Sequence, residues 1–153
     1  MNHSYELVLI REIPVTPNQV WQAWTQPEIL MQWWTPKPWR TVECDIDLKI
    51  GGRFYTRMQG PNGEDVPGEG CILNFEKNKS FAWTDCLLPG FQPAPEPFMS
   101  AVLTVEAIDN NNSRYVAMVY HKDEASKKQH EEMGFFDGWG TALQQMVTVA
   151  KEL

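Results

Sequence analysis

Apolar and polar positions alternate most regularly between residues 40 and 50. The apolar positions in this stretch, each followed by a charged residue, are Val42, Cys44, Ile46 and Leu48. Because successive side chains of a strand point to opposite faces, this period of two predicts a strand over residues 40–50 with one apolar and one charged face. Gly51 and Gly52 then predict a turn or bulge before a further strand over residues 53–59.

Shorter runs rich in β-branched and aromatic residues predict the remaining strands. These runs cover residues 5–14, 68–76, 81–87, 99–108 and 114–121. The Asp-Asn-Asn-Asn segment at 109–112 predicts a turn that joins the last two strands into a hairpin. Residues 89–97 contain four prolines and predict a loop rather than a regular element.

Helix signals follow the first strand and close the chain. Thr16, Pro17 and Gln19 have the spacing of a capping box with proline in the first turn, and Pro27 begins a second short helix. The pattern from residue 124 to residue 153 predicts one long C-terminal helix. This order predicts an α+β fold in a single domain over residues 1–153: a curved antiparallel sheet wrapped around the long helix, with space between them.

Charge narrows the classes of partner. The chain has 13 Lys and Arg residues against 20 Asp and Glu residues, and its net charge is −7. An acidic domain without a basic stripe repels phosphate backbones, so we expect no nucleic-acid partner. No stretch approaches the roughly 18 consecutive apolar residues of a membrane span, so we expect no membrane insertion.

The three cysteines and the N-terminal residues indicate the compartment. Cys44, Cys71 and Cys86 are odd in number and form no C-x-x-C pair, which argues against a disulfide framework. The N-terminal residues lack the apolar run of a signal peptide. We therefore expect a reduced, cytoplasmic protein. Metal-ligand spacings, nucleophile motifs and Gly-rich phosphate loops are absent from the sequence, so no metal and no cofactor are indicated.

Large soft side chains are abundant. The chain contains seven Trp, seven Phe, four Tyr and seven Met residues. Such side chains can fill a core, and they can also line a small-molecule pocket. Both interpretations stay open at this point.

Three segments resemble a known family when they are taken together. They are Val15–Trp21 at the first helix, Asp47–Phe54 across the strand pair and His130–Trp139 in the last helix. In this order and spacing the chain resembles the branch of the START/polyketide-cyclase (SRPBCC, helix-grip) superfamily that is named after the heat-shock-protein-90 ATPase activator homologue. The resemblance implies a helix-grip fold. It also implies binding of lipids, hormones or aromatic polyketides, ring-closure catalysis, or assistance to a chaperone.

Two glycines stand in the predicted last helix. Gly134 and Gly138 lie four residues apart and hence on one helix face, where each costs about 1 kcal/mol relative to alanine. Close packing against the sheet explains them, and so does space kept open for a ligand. We expect four apolar residues to pack the same helix onto the core: Met133, Phe136, Leu143 and Val147.

A set of aromatic, methionine and glycine positions forms the predicted ligand site. The candidate ligand-binding residues are Phe54, Met58, Trp83, Phe91, Phe98, Tyr120, Gly134 and Gly138. The proline-rich segment 89–97, with Phe91 and the adjacent Phe98, is expected to act as a lid at the cavity mouth.

Two titratable residues are candidates for proton transfer. His121 ends the last strand, and Asp85 follows Trp83 by two residues, so either can face an apolar pocket and act as an acid or base. The alternatives are a structural or exposed histidine and a strand-end aspartate in water. We expect His130 to lie exposed near the helix start.

The two arginines of the strand over residues 53–59 also have two interpretations. Arg53 and Arg57 can bind an anionic ligand group or pair with Glu43 and Asp45 across the strands, and cross-strand pairing is favoured.

The leading functional hypothesis is binding of a small hydrophobic or aromatic molecule between the sheet and the C-terminal helix. The second is a cyclase or hydrolase that acts on an aromatic or polyketide-like substrate, with His121 or Asp85 as proton carrier. The third is a stress-response adaptor resembling a chaperone ATPase activator. The sequence leaves open the identity of the ligand, a homodimer and a chaperone partner.

Overall fold

A seven-stranded antiparallel sheet forms the scaffold of the computed structural model, which describes residues 5–153. The strands in chain order are β1 (Glu6–Ile13), β2 (Arg40–Ile46), β3 (Arg53–Gln59), β4 (Asp65–Glu76), β5 (Ser80–Thr84), β6 (Leu87–Leu88), β7 (Gln92–Pro93), β8 (Met99–Ala107) and β9 (Ser113–His121). The sheet has the order β1-β9-β8-β5-β4-β3-β2, and β6 pairs with β7 separately. With the helices below, this arrangement is the predicted α+β helix-grip fold.

Two short helices follow the first strand, as predicted. The helices are α1 (Pro17–Thr25), α2 (Pro27–Leu30), α3 (Glu124–Glu132) and α4 (Phe135–Ala150). The backbone N–H of Gln19 donates to the Thr16 hydroxyl at 3.3 Å, and the Gln19 side chain accepts from Thr16 N at 2.8 Å. These two bonds form the predicted capping box and satisfy two backbone donors at the start of α1.

The C-terminal helical region is interrupted, and the prediction of one uninterrupted helix over residues 124–153 is wrong. Gly134 separates α3 from α4 with a φ of 91°, in the left-handed region that L side chains avoid. Gly134 is therefore not an interior helix residue, because its conformation ends one helix and starts the next. Gly138 lies inside α4, as predicted.

Two sequence-based boundaries also differ from the structure. The predicted strand over residues 40–50 ends at Ile46, and Leu48 and Ile50 are exposed in a tight turn. A β carbon at Gly52 would collide with the Asp47 carbonyl oxygen, so this turn requires glycine. The predicted loop over residues 89–97 includes β7, which pairs with β6 across a short 3-10 turn, Pro89–Phe91.

The core lies between one face of the sheet and the helices α1 and α4. From α4, Leu143, Met146 and Val147 are buried there, so the C-terminal half of this helix is closely packed. Met133 and Phe136, which we expected in the core, are 68% and 42% exposed. Met133 lies outside α4, beside the break at Gly134, and Phe136 lies in the first turn of α4.

The outer face of β2, β3 and β4 carries ion pairs. Arg53 pairs with Asp45 at 3.1 Å, and Arg57 pairs with Glu43 at 3.0 Å, as the cross-strand hypothesis predicted. Glu69 on β4 also pairs with Arg53 at 2.7 Å, and Asp65 pairs in the same way with Arg57. Each arginine thus joins three strands, and this part of the outer face is charged.

The break at Gly134 leads to a prediction about stability. Gly134→Ala is expected to lower the free energy of unfolding by about 1–2 kcal/mol, because alanine is strained at positive φ. Gly140→Ala is the matched control, since Gly140 lies inside α4 with no atom within 4 Å of an added β carbon. It is expected to raise stability by about 0.5–1 kcal/mol. Urea unfolding measures both, and a Gly134→Ala protein as stable as the wild type contradicts the prediction.

Candidate functional site

A cavity of about 610 Å³ lies between the sheet and the N-terminal half of α4. Its walls come from β3, β4, β5, β8 and β9, from α3 and α4, and from the segment after α2. Apolar and aromatic side chains dominate the lining. Small-molecule sites of proteins have volumes of about 300–1,000 Å³ and a similar lining.

The sheet side of the cavity is an aromatic cluster. The rings of Phe54 and Trp83 stack with centroids 4.9 Å apart, and Trp34 packs on both, at 5.4 Å and 5.6 Å. Sequence reasoning singled out Phe54 and Trp83 but missed Trp33 and Trp34, which also line the cavity. These two tryptophans follow α2 in an irregular segment, where no periodicity indicates the direction of a side chain.

The helix side of the cavity is held open at Gly138. A β carbon placed there would have no atom within 4 Å among the described residues, so close packing against the sheet does not explain this glycine. Gly134, Met58 and Phe98 line the cavity with it. The space in front of Gly138 is part of the cavity.

Two predicted ligand-binding residues lie outside this cavity. Tyr120 is 41% exposed and faces away from the helices, because the inward positions of β9 are its odd-numbered neighbours. Phe91 is half exposed, and its ring lies against Gly51. Residues 89–97 do not line the cavity, so the expected lid is not at its mouth.

The exposed lining residues mark the opening of the cavity. They are Val66 and Pro67 on β4 and Met133 beside the helix break. The opening thus lies between the start of β4 and the junction of α3 and α4.

A buried histidine pair connects β9 to α3. Nδ1 of His121 lies 2.8 Å from the Tyr5 carbonyl oxygen, and Nε2 of His121 lies 2.8 Å from Nδ1 of His130. Each histidine is only 8% exposed, so the expectation of an exposed His130 is wrong. His130 lines the cavity, whereas His121 lies behind it. The spacing of Ser126 and His130, the two buried residues of α3, is the signal that could have located this face.

When both rings are neutral, the Tyr5 carbonyl determines where the hydrogens of the histidine pair lie. A carbonyl oxygen only accepts, so Nδ1 of His121 carries a hydrogen and its Nε2 is an acceptor. Nδ1 of His130 then donates to that nitrogen, which leaves a lone pair on Nε2 of His130. Burial and the neighbouring His121 lower the pKa of His130 to about 4, so its ring is neutral at neutral pH.

Asp85 also lines the cavity, at the end of β5. Its Oδ1 accepts hydrogen bonds from Phe98 N at 2.9 Å and Met99 N at 3.0 Å. These two hydrogen bonds therefore connect the start of β8 to the end of β5. Proton transfer by Asp85 or His121 stays a prediction. Both ring nitrogens of His121 already contact protein atoms.

Within residues 5–153, no group of three or more His, Cys, Asp and Glu side chains could hold a metal ion. None of the helices in the same range combines the length and apolar character that a bilayer crossing needs.

The buried His130 ring leads to a prediction about pH. The wild-type protein should lose stability as pH falls from 6.5 toward 4, because the unfolded chain binds a proton that the native ring does not. His130→Asn lacks this titration, so its loss over the same interval should be smaller by on the order of 1–3 kcal/mol. Urea unfolding of both proteins across this pH interval measures the difference, and parallel pH profiles contradict the prediction.

The chain was compared with known families, curated proteins and solved structures. No match was found among the curated proteins. A crystal structure of a protein from Nitrosomonas europaea is 39% identical with a TM-score of 0.94, and the match covers 99% of this chain and 97% of that one. A solution structure of a protein from Arthrobacter aurescens is 22% identical with a TM-score of 0.83, and the match covers 98% and 88% of the two chains. At that identity the likeness shows the fold alone.

The family comparison matches nearly the whole chain. Residues 14–151 match the sequence model of the family described as "Activator of Hsp90 ATPase homolog 1-like protein". The resemblance found in the three sequence segments is thereby confirmed. The chain belongs to the activator of Hsp90 ATPase homolog 1-like family, within the helix-grip superfamily.

Proposed function

We propose that this protein binds a small hydrophobic or aromatic molecule in the cavity between the sheet and α4. The observation that carries the proposal is the cavity of about 610 Å³, lined mainly by apolar and aromatic side chains. The stacked Phe54 and Trp83 rings offer a flat apolar surface on one side. Gly138 leaves space on the other side.

The energetics of an apolar cavity support occupation. An apolar cavity forgoes dispersion contacts that a filled core would make. An apolar ligand recovers these contacts and removes its own surface from water, with a gain of about 25 cal/mol per Å². Gly138 contributes to the space at a cost of about 1 kcal/mol relative to alanine.

A cyclase or hydrolase is the second candidate, and one observation favours it. A neutral His130 ring at the cavity wall can accept a proton from a bound substrate. The hydrogen bond between His121 and His130 would then fix the orientation of the His130 ring. The adaptor hypothesis has less support, because the outer face of β2–β4 carries ion pairs rather than an apolar docking patch.

Ligand binding can be tested by thermal shift with fatty acids, sterols, flavonoids and aromatic polyketides. A ligand at 100 times its dissociation constant adds about 2.7 kcal/mol, which should raise the melting temperature by about 5–10 °C at this chain length. A panel in which no compound shifts a well-folded protein contradicts the proposal and directs attention to protein partners.

A substitution locates the binding site. Gly138→Leu is expected to abolish the shift caused by any ligand found in the panel, because the leucine side chain enters the cavity. Gly140→Leu is the control, since Gly140 also lies in α4 with open space around it but does not line this cavity. Circular dichroism checks that both variants fold. Normal binding by a folded Gly138→Leu protein places the ligand elsewhere.

A further inference from the structure

One nitrogen of the buried histidine pair has no hydrogen-bond partner within residues 5–153. Nδ1 of His121, Nε2 of His121 and Nδ1 of His130 all contact polar atoms at 2.8 Å. Nε2 of His130 has no such contact, although its ring is buried and lines the cavity. Within residues 5–153 the buried side-chain atoms without a partner are Nε1 of Trp24 and Nε1 of Trp83, so Nε2 of His130 is instead accessible from the cavity and free to contact a ligand.

The hydrogen-bond chain decides what this nitrogen can bind. Because the Tyr5 carbonyl only accepts, the neutral pair presents a lone pair, and not an N–H, at Nε2 of His130. The complementary ligand group is a hydrogen-bond donor. An ether or ketone oxygen cannot supply the hydrogen, whereas a hydroxyl group can.

The charges of the lining indicate a neutral ligand. None of the residues that line the cavity is lysine or arginine, and two of them, Glu69 and Asp85, are acidic. Glu69 is already engaged by Arg53 through two hydrogen bonds. A carboxylate ligand would find no cation among these residues and would be repelled by Asp85, so fatty acids fit this site poorly.

The surroundings of His130 favour an aromatic ligand. The ring centroids of Phe98 and Phe135 lie 4.9 Å and 5.1 Å from that of His130, and the Trp139 centroid lies at 6.3 Å. These rings restrict the tilt of the imidazole and shield it from water. A group that reaches Nε2 therefore lies among aromatic rings.

On the basis of the proposed binding function, we infer that the cavity selects neutral aromatic molecules that carry a hydroxyl group. The hydroxyl of such a phenol donates its hydrogen to Nε2 of His130, and the aromatic body occupies the apolar part of the cavity beside Trp83 and Phe54. His130 acts as the specificity residue, and His121 acts as the positioning residue that holds its partner in the accepting tautomer.

The test compares three probes that differ in one substituent: 4-hydroxybiphenyl, 4-methoxybiphenyl and biphenyl. Titration calorimetry or quenching of tryptophan fluorescence gives the dissociation constants. The wild-type protein should bind the hydroxyl compound about fivefold more tightly than the methoxy compound, the size expected for one hydrogen bond between neutral groups. Equal affinities overturn the inference while the proposed function stands. Failure of all three probes to bind overturns the inference, and the thermal-shift panel then decides the proposed function separately.

A variant assigns the preference to one atom. His130→Asn is chosen because its amide can still donate to Nε2 of His121, whereas the shorter side chain offers no acceptor where Nε2 of His130 stood. The ratio of the two dissociation constants should fall to about one. A preference that persists in the variant overturns the inference.

A measurement on the wild-type protein keeps the test decisive if the variant does not fold. Nitrogen NMR of the histidine rings reports the protonation and hydrogen bonding of each nitrogen. Saturation with 4-hydroxybiphenyl should shift the Nε2 resonance of His130 far more than saturation with 4-methoxybiphenyl does. Equal shifts with the two compounds, or a free protein in which Nε2 carries the hydrogen, overturn the inference.

Discussion

The packing of the C-terminal half of α4 against the sheet and α1 is the interaction on which the rest of the structure depends. Leu143, Met146 and Val147 are buried in this contact, and they hold the helix at a fixed position relative to the strands. The N-terminal half of the same helix presents Gly138 to open space. The residues that pack α4 onto the core and the glycine that leaves space for the cavity thus lie in different halves of the same helix. The cavity can therefore exist without loss of the main core.

The histidine pair holds a second helix, α3, in position beside the cavity. Helix α3 is mostly polar, and Ser126 and His130 are its buried residues, so apolar packing alone does little to hold it. The bond between His130 and His121 anchors α3 to β9, and the Tyr5 carbonyl completes the chain of hydrogen bonds. Three of the four ring nitrogens have partners within residues 5–153, and the fourth, Nε2 of His130, is accessible from the cavity. The proposed ligand selection rests on this combination of an anchor and an accessible acceptor.

Family membership and the chemistry of the site carry different kinds of information. The family matches residues 14–151, and the protein from Nitrosomonas europaea shares the fold at 39% identity. One fold of this type can serve many activities, so the activity has to be argued from the cavity lining. In this chain the lining combines an aromatic wall, one neutral histidine and acidic groups without a lysine or arginine. The proposal of a neutral aromatic ligand rests on these features and not on the fold.

Local signals in the sequence determined most of the elements. The capping box at Thr16, the alternation along β2 and the opposite charges of Arg57 and Glu43 all act between near neighbours or adjacent strands, where periodicity and residue chemistry suffice. Only the tertiary structure decided the direction of Tyr120 and the burial of His130, together with the helix break at Gly134. The face of β9 could not be assigned from its pattern because apolar residues occupy both faces of that strand. The burial of His130 depends on a partner in another element, and the role of Gly134 depends on a backbone angle that composition does not reveal.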